Sequence, residues 1–403
     1  MKTEGRSQWF VILLLEQHSQ ELMSTQSIQT APSLIAGYPL TESRQHMRKT
    51  FLRLVLVVLG LAVGLGFCEI MLRAFRQGHT RSVMLYNNKI YKLPPHVSFM
   101  NLDENTNLVV TNNLGFHDRE RQPTNDNYRI LFIGDSFVEG RQVDTPSLFT
   151  MRLEKKFSDE GRKIEAMNGG VPSTGTAYQY SLWKEFFEPN VKVDHLVLCL
   201  FMGNDLVDNN IDLKGATFGG TDNSFFTDSQ GNVFGTRKEP GVLKSGINYL
   251  RDHSVLADRL YEITFRMKKE VQVEADGSVG DEGGRIDKSG AWRASEEGTI
   301  ALIKKWKSEL AGKRVPFDVL VIDRPGKVYN RFELEFVDKL QATCSQDQMD
   351  CLRLKLSDDP YESYSFDGIN LGHFNYKGHE LVANELYDFL KTHHPQTFSQ
   401  IVK

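Results

Sequence analysis

From Leu52 to Leu72 the chain reads LRLVLVVLGLAVGLGFCEIML, almost without a polar side chain. A helix of that length is about 30 Å long, the thickness of a bilayer's hydrocarbon core. Arg53 and Glu69 stand near its two ends, where their charges can reach the interface. The run predicts a transmembrane anchor over residues 50–73. No small-x-small cleavage site follows it, and in Leu65-Gly-Phe-Cys68 a bulky Phe stands where a lipoprotein cleavage box needs a small residue. An uncleaved anchor is therefore expected. Arg44, Arg48 and Lys49 before it balance Arg73, Arg76 and Arg81 after it. Because the large domain follows the span and translocates well, the expected orientation leaves the N-terminus inside and that domain outside the cytoplasm. Residues 1–46 lack periodicity, and their one apolar run, Trp9 to Leu15, is too short to span. They are expected to be disordered or foreign to the natural product, Met47 being a suitable start.

The 403 residues leave room beyond the anchor for one large or two ordinary domains. A net charge of −4 and a pI near 6.3 argue against a nucleic-acid partner, which requires a basic face. Four cysteines are too few for a disulfide scaffold. Cys68 and Cys199 lie in apolar runs and are expected to be buried thiols. Cys344 and Cys351 flank a polar loop and are free to pair in an oxidising compartment.

Beyond a polar arm at 77–127, short apolar runs alternate with helix-period segments. Strands are expected at 128–134, 163–167, 195–202, 317–322 and near 352–356. Helices are expected over 147–159, 176–187, 295–311, 330–342 and 377–391. This alternation predicts a three-layer α/β/α sandwich with a mainly parallel sheet, in a domain over 128–395. An insertion at 206–294 interrupts it with a hairpin at 225–234, a helix near 243–268 and a Gly- and acid-rich stretch at 274–290. In the arm, Asn112 to Phe116 suits a tight turn, with Phe116 expected to pack on the domain's edge.

Three strands end in polar, Gly-marked motifs: Gly134-Asp-Ser136, Asn168-Gly-Gly170 and Gly203-Asn-Asp205. Carboxyl edges of neighbouring parallel strands converge on one crevice. Near the C-terminus comes Gly372-His-Phe-Asn-Tyr-Lys-Gly378. No Gly-x-Ser-x-Gly elbow occurs, and His379-Glu380 lacks the second histidine of a zinc-protease helix.

In order and placement these four blocks, together with the preceding apolar helix and the Asn112–Phe116 turn, resemble the SGNH (GDSL-like) hydrolases, closest to their membrane-anchored bacterial branch. The resemblance covers residues 128 to 392 and implies a flavodoxin-like fold and acyl-ester hydrolysis without metal or cofactor. It implies Ser136 as nucleophile, activated by His373. It also implies an oxyanion hole made by the N–H of Ser136, the N–H of Gly170 and the side chain of Asn204. The family's acid usually lies three residues before the histidine. Here Asn370 holds that position and Asp367 lies further upstream, so either Asp367 completes a triad or Asn370 orients a dyad. Three functions follow: an esterase acting on an acylated carbohydrate or lipid-like substrate, an O-acyltransferase modifying a cell-surface polysaccharide, or a non-catalytic carbohydrate-binding domain.

Overall fold

The computed structural model describes residues 40–75, 84–86, 90–101, 104–218, 224–236, 242–261, 264, 289–324, 331–355 and 358–400. The chain divides into two compact units, Met1–Val63 and Gly64–Lys403. The expected stretch at 274–290 lies almost wholly outside the described residues.

Helix α1 (Leu40–Phe75) carries the apolar run, and within it Met47–Ala74 is long and apolar enough to cross a membrane. Its side chains are exposed along the span. Cys68 is among them, which corrects its expected burial: with no polar face to the helix, an apolar neighbourhood in sequence does not place a residue in a protein core.

Two short antiparallel ribbons follow, β1 (Met84–Tyr86) with β2 (Ile90–Lys92), and β3 (Ser98–Asn101) with β4 (Asn107–Val110). The expected tight turn comes next. Asn112 Oδ1 accepts the amides of Leu114 and Phe116, and Gly115 takes a positive φ of 82°. Phe116 is buried against Phe187, with ring centroids 5.0 Å apart.

The sheet is parallel throughout, in the order β6-β5-β7-β10-β11. Its strands are β5 (Tyr128–Gly134), β6 (Ile164–Gly170), β7 (His195–Phe201), β10 (Phe317–Ile322) and β11 (Cys351–Arg353), with β8 (Ser224–Thr227) and β9 (Val233–Thr236) forming the expected hairpin apart from it. Both faces are covered, which is why the strands read as unbroken apolar runs. Leu131, Ile133, Leu198 and Val319 face one core, Ile130, Phe132, Val197 and Leu320 the other. The chain leaves β5 outward to β6 and then returns past it to β7. That reversal opens a crevice at the carboxyl ends of β5 and β7. The helices used below are α2 (Ser136–Glu139), α3 (Phe149–Asp159), α4 (Thr176–Leu182), α5 (Asp205–Asp208), α6 (Val242–His253), α7 (Ser289–Gly312), α8 (Arg331–Gln346) and α9 (Tyr376–His393).

Strand β6 is an edge, and charged side chains rather than another strand satisfy its outer backbone groups. Asp118 accepts the Asn168 amide at 3.1 Å, Glu154 of α3 accepts the Ala166 amide at 3.0 Å, and Arg121 donates to the Ala166 carbonyl at 2.8 Å. Arg121 is wholly buried and also pairs with Asp118 and Glu154. A disulfide joins Cys344 at the end of α8 to Cys351 of β11, settling the pairing left open by the sequence.

At the amino end of the sheet, opposite the crevice, His195 Nε2 and His394 Nε2 both meet Asp318 Oδ2, at 2.8 and 2.9 Å. These three are spaced closely enough to hold a metal ion. Without one they form an ion pair with a definite pH signature. Burial opposes the charge on Asp318, but His195 and His394 hold its carboxyl below the usual range. Burial likewise opposes the charge on His394, but Asp318 and then Asp350 raise its imidazole above the usual value. The carboxylate's contribution is lost as pH falls through its lowered folded value. The imidazole's contribution is full below its unfolded value and is lost as pH rises through its raised folded value. The urea midpoint of a His394→Gln variant should therefore trail the parent most between about pH 4 and 6.5 and converge on it at higher pH. A gap that widens toward pH 9 would refute the pairing.

Candidate active site

Gly134 ends β5 with no room for a side chain, since a Cβ there would lie 2.5 Å from Val138 Cγ2 and 2.9 Å from the Cys199 carbonyl. The chain turns at once into α2. Asp135 caps it, its Oδ1 accepting the Phe137 amide at 2.9 Å. Ser136 is thus the first residue of a helix, and its own N–H has no hydrogen-bond partner among the described residues.

The loop after residue 364 brings His373 over the serine. His373 Nε2 lies 2.8 Å from Ser136 Oγ, and its ring packs on Phe137 at 4.8 Å between centroids. The carboxylate behind the ring belongs to Glu104, between β3 and β4. Glu104 Oε1 meets His373 Nδ1 at 2.7 Å, and Oε2 accepts the His373 amide at 2.7 Å. A Cβ on Gly372 would come within 2.4 Å of that carboxylate, so glycine there is what admits it. Burial favours neutral His373, but the bond and charge of Glu104, with Asp135 and Glu139, raise its imidazole above the ordinary value. Burial likewise opposes the charge on Glu104, and His373 more than offsets it.

The expected partner, Asp367, is elsewhere. It is exposed, and its oxygens accept from the amides of Ile369 and Asn370, the Asn370 side chain and the Ser365 hydroxyl. Gly368, at φ 73°, closes that turn. Asp-Gly is a turn former, and here the local hydrogen bonds take the whole carboxylate. Asn370 is held in the same turn and does not orient His373.

Gly170 also departs from expectation. Its N–H donates to Asn168 Oδ1 at 2.9 Å, so it is not free for an oxyanion. The glycine serves a different need: a Cβ there would lie 2.1 Å from the Glu139 amide, so its absence lets β6 abut α2. Asn204 precedes α5, and its side-chain N–H groups face buried carboxyls: one donates to Asp208 Oδ2 at 3.1 Å, and Asp135 also accepts from this side chain.

Beneath the serine lie three buried carboxyls, Asp135, Asp205 and Asp208. Burial pushes Asp135 up to about 7, against the Phe137 amide and the charge of His373. Burial, then the charges of Asp135 and Asp208, push Asp205 well above the usual range.

No family model matches the chain, and no curated protein matches it. Among solved structures it is similar to a psychrotrophic esterase from Pseudoalteromonas sp. (13% identity, TM-score 0.36), covering 66% of this chain and 98% of that one. It is similar also to the lipase/acylhydrolase from Enterococcus faecalis (13% identity, TM-score 0.35, 66% of this chain and 96% of that one). A third is a member of the lipolytic protein G-D-S-L family from Veillonella parvula (11% identity, TM-score 0.34, 65% and 97%). Likeness this distant leaves the chemistry to be argued from the side chains.

Proposed function

We propose that this chain is an SGNH-type serine ester hydrolase anchored in a membrane through residues 50–73, with its hydrolase domain outside the cytoplasm. The observation that supports it is the relay from Ser136 Oγ through His373 to Glu104, at 2.8 and 2.7 Å. In this reading His373 Nε2 takes the hydroxyl proton as Oγ attacks an ester carbonyl. Glu104 holds Nδ1–H, fixing the tautomer and stabilising the imidazolium. The Ser136 amide receives the oxyanion, and Asn204 joins it by turning an N–H from its carboxyl partners toward the substrate. His373 then returns the proton to the leaving alkoxide, and water releases the acyl group by the same route. No residue in this scheme needs a metal or cofactor. The Cys344–Cys351 disulfide fits an oxidising compartment.

The substrate class proposed is an acylated carbohydrate or lipid-like ester. The same acyl-enzyme can pass its acyl group to a sugar hydroxyl instead of water, so product analysis belongs in the test. The full chain in detergent should hydrolyse short-chain aryl esters with a chelator present, and a fluorophosphonate should add to the peptide bearing Ser136. Free acid marks the hydrolase; a new sugar ester formed when oligosaccharide is supplied marks the transferase. Failure of Ser136 to take the label would refute both.

A further inference from the structure

Helix α6 has an apolar stripe turned outward. Val242, Leu243, Tyr249 and Leu250 are 93, 80, 63 and 58% exposed, and Ile247 extends the stripe. Leu243, Ile247 and Leu250 recur at helical spacing on one side, with Val242 and Tyr249 flanking them. Arg251 points the other way, pairing with Asp258 at 2.9 Å and lying 3.8 Å over the Tyr261 ring. Among the described residues nothing covers the stripe, and a patch of this kind marks a docking surface.

The end of α1 fixes where that surface lies. Glu69 accepts the amides of Val255 and Leu256, at 3.0 and 2.9 Å, and the Ser254 hydroxyl at 2.9 Å. Arg73 donates to the His253 carbonyl at 2.8 Å. Two charged residues in the last turns of the apolar helix thus grip the C-terminus of α6 and the start of residues 255–261. A span's charged end sits at the membrane–water interface, so whatever it grips sits at that depth too.

We propose that α6 is a membrane-surface helix, its stripe of Val242, Leu243, Ile247, Tyr249 and Leu250 seated among the lipids beside the anchor. An exposed apolar face on a helix lying in the interface plane is how such elements bind. The partner is the bilayer itself, and the insertion holding α6 would then tie the hydrolase domain to the membrane at a second point. This rests on the anchor reading, and its test separates the two.

In the full chain carrying Cys68→Ala, single cysteines at Leu243, Leu250, Ser245 and Leu59 would be labelled with bimane and reconstituted in phosphatidylcholine vesicles containing nitroxide lipid. Leu59 reports the span; Ser245 reports the opposite side of α6. Labels at 243 and 250 should be quenched by the lipid at least roughly twofold more than the label at 245, and be shielded from aqueous iodide. If 59 is quenched while 243 and 250 behave like 245, the surface-helix proposal fails and the anchor stands. Shielding of 243 and 250 from both quenchers would indicate a protein partner and would also overturn it. If 59 itself escapes the lipid quencher, anchor and surface helix fall together.

Discussion

Ser136→Ala should abolish ester turnover, a loss of about 10⁶-fold by the subtilisin precedent, while leaving the fold intact. Glu104→Gln should cost roughly 10²–10⁴-fold in kcat, because an amide can orient the ring but cannot stabilise the imidazolium. Asp367→Asn should be silent to within about twofold, since its carboxylate only closes its own turn. The pH profile supplies an independent readout. Only neutral His373 can accept the serine proton, so activity rises as the imidazole deprotonates. Its raised value places the acid limb of kcat/KM above the ordinary histidine range, and removing the Glu104 charge should move that limb down. If Glu104→Gln is silent and Asp367→Asn is not, the relay drawn here is wrong.

The largest effect on stability should come from Arg121→Met. The guanidinium has no exposure and makes two bonds to Asp118, one to Glu154 and one to the Ala166 carbonyl. Burial disfavours its charge, but Asp118 and Glu154 hold it more firmly protonated than usual. Methionine would fill much of the space and strand a buried carboxylate, at a cost of about 3–5 kcal/mol. Adding Asp118→Asn should recover part of that loss, because the stranded charge is then gone. A double variant no more stable than the single would show that packing, not charge, sets the cost.

The sheet was legible because each strand is covered on both faces, so β5, β7 and β10 appear as runs bounded by Gly or polar motifs. Ser136 and His373 were legible through their motifs, and the structure brings them together. Glu104 was not. It stands in Asp103-Glu-Asn-Thr-Asn107, a polar run like many surface loops, and only the tertiary fold carries it to the histidine. Two signals pointed toward it: the missing acid three residues before His373, and a glycine beside the histidine that permits close approach. Asp367 is the nearest acid upstream in sequence, but the turn-forming habit of Asp-Gly commits its carboxylate to the amides of Ile369 and Asn370. Gly170 misled because the neighbouring Asn168 side chain, invisible to spacing arguments, claims its amide.

The position of Glu104 also decides what survives excision. A fragment beginning at Tyr128 would keep all five strands, the serine and the histidine, yet lack the carboxylate behind the ring and the Arg121 cover on β6. It should fold poorly and turn over slowly, however complete its motifs look. A fragment beginning at Met84 would keep both Glu104 and Arg121 and should turn over like the full chain; one beginning just beyond Glu104 should be nearly idle. The polar arm ahead of the sheet is thus as much a part of the site as the strands that carry the serine.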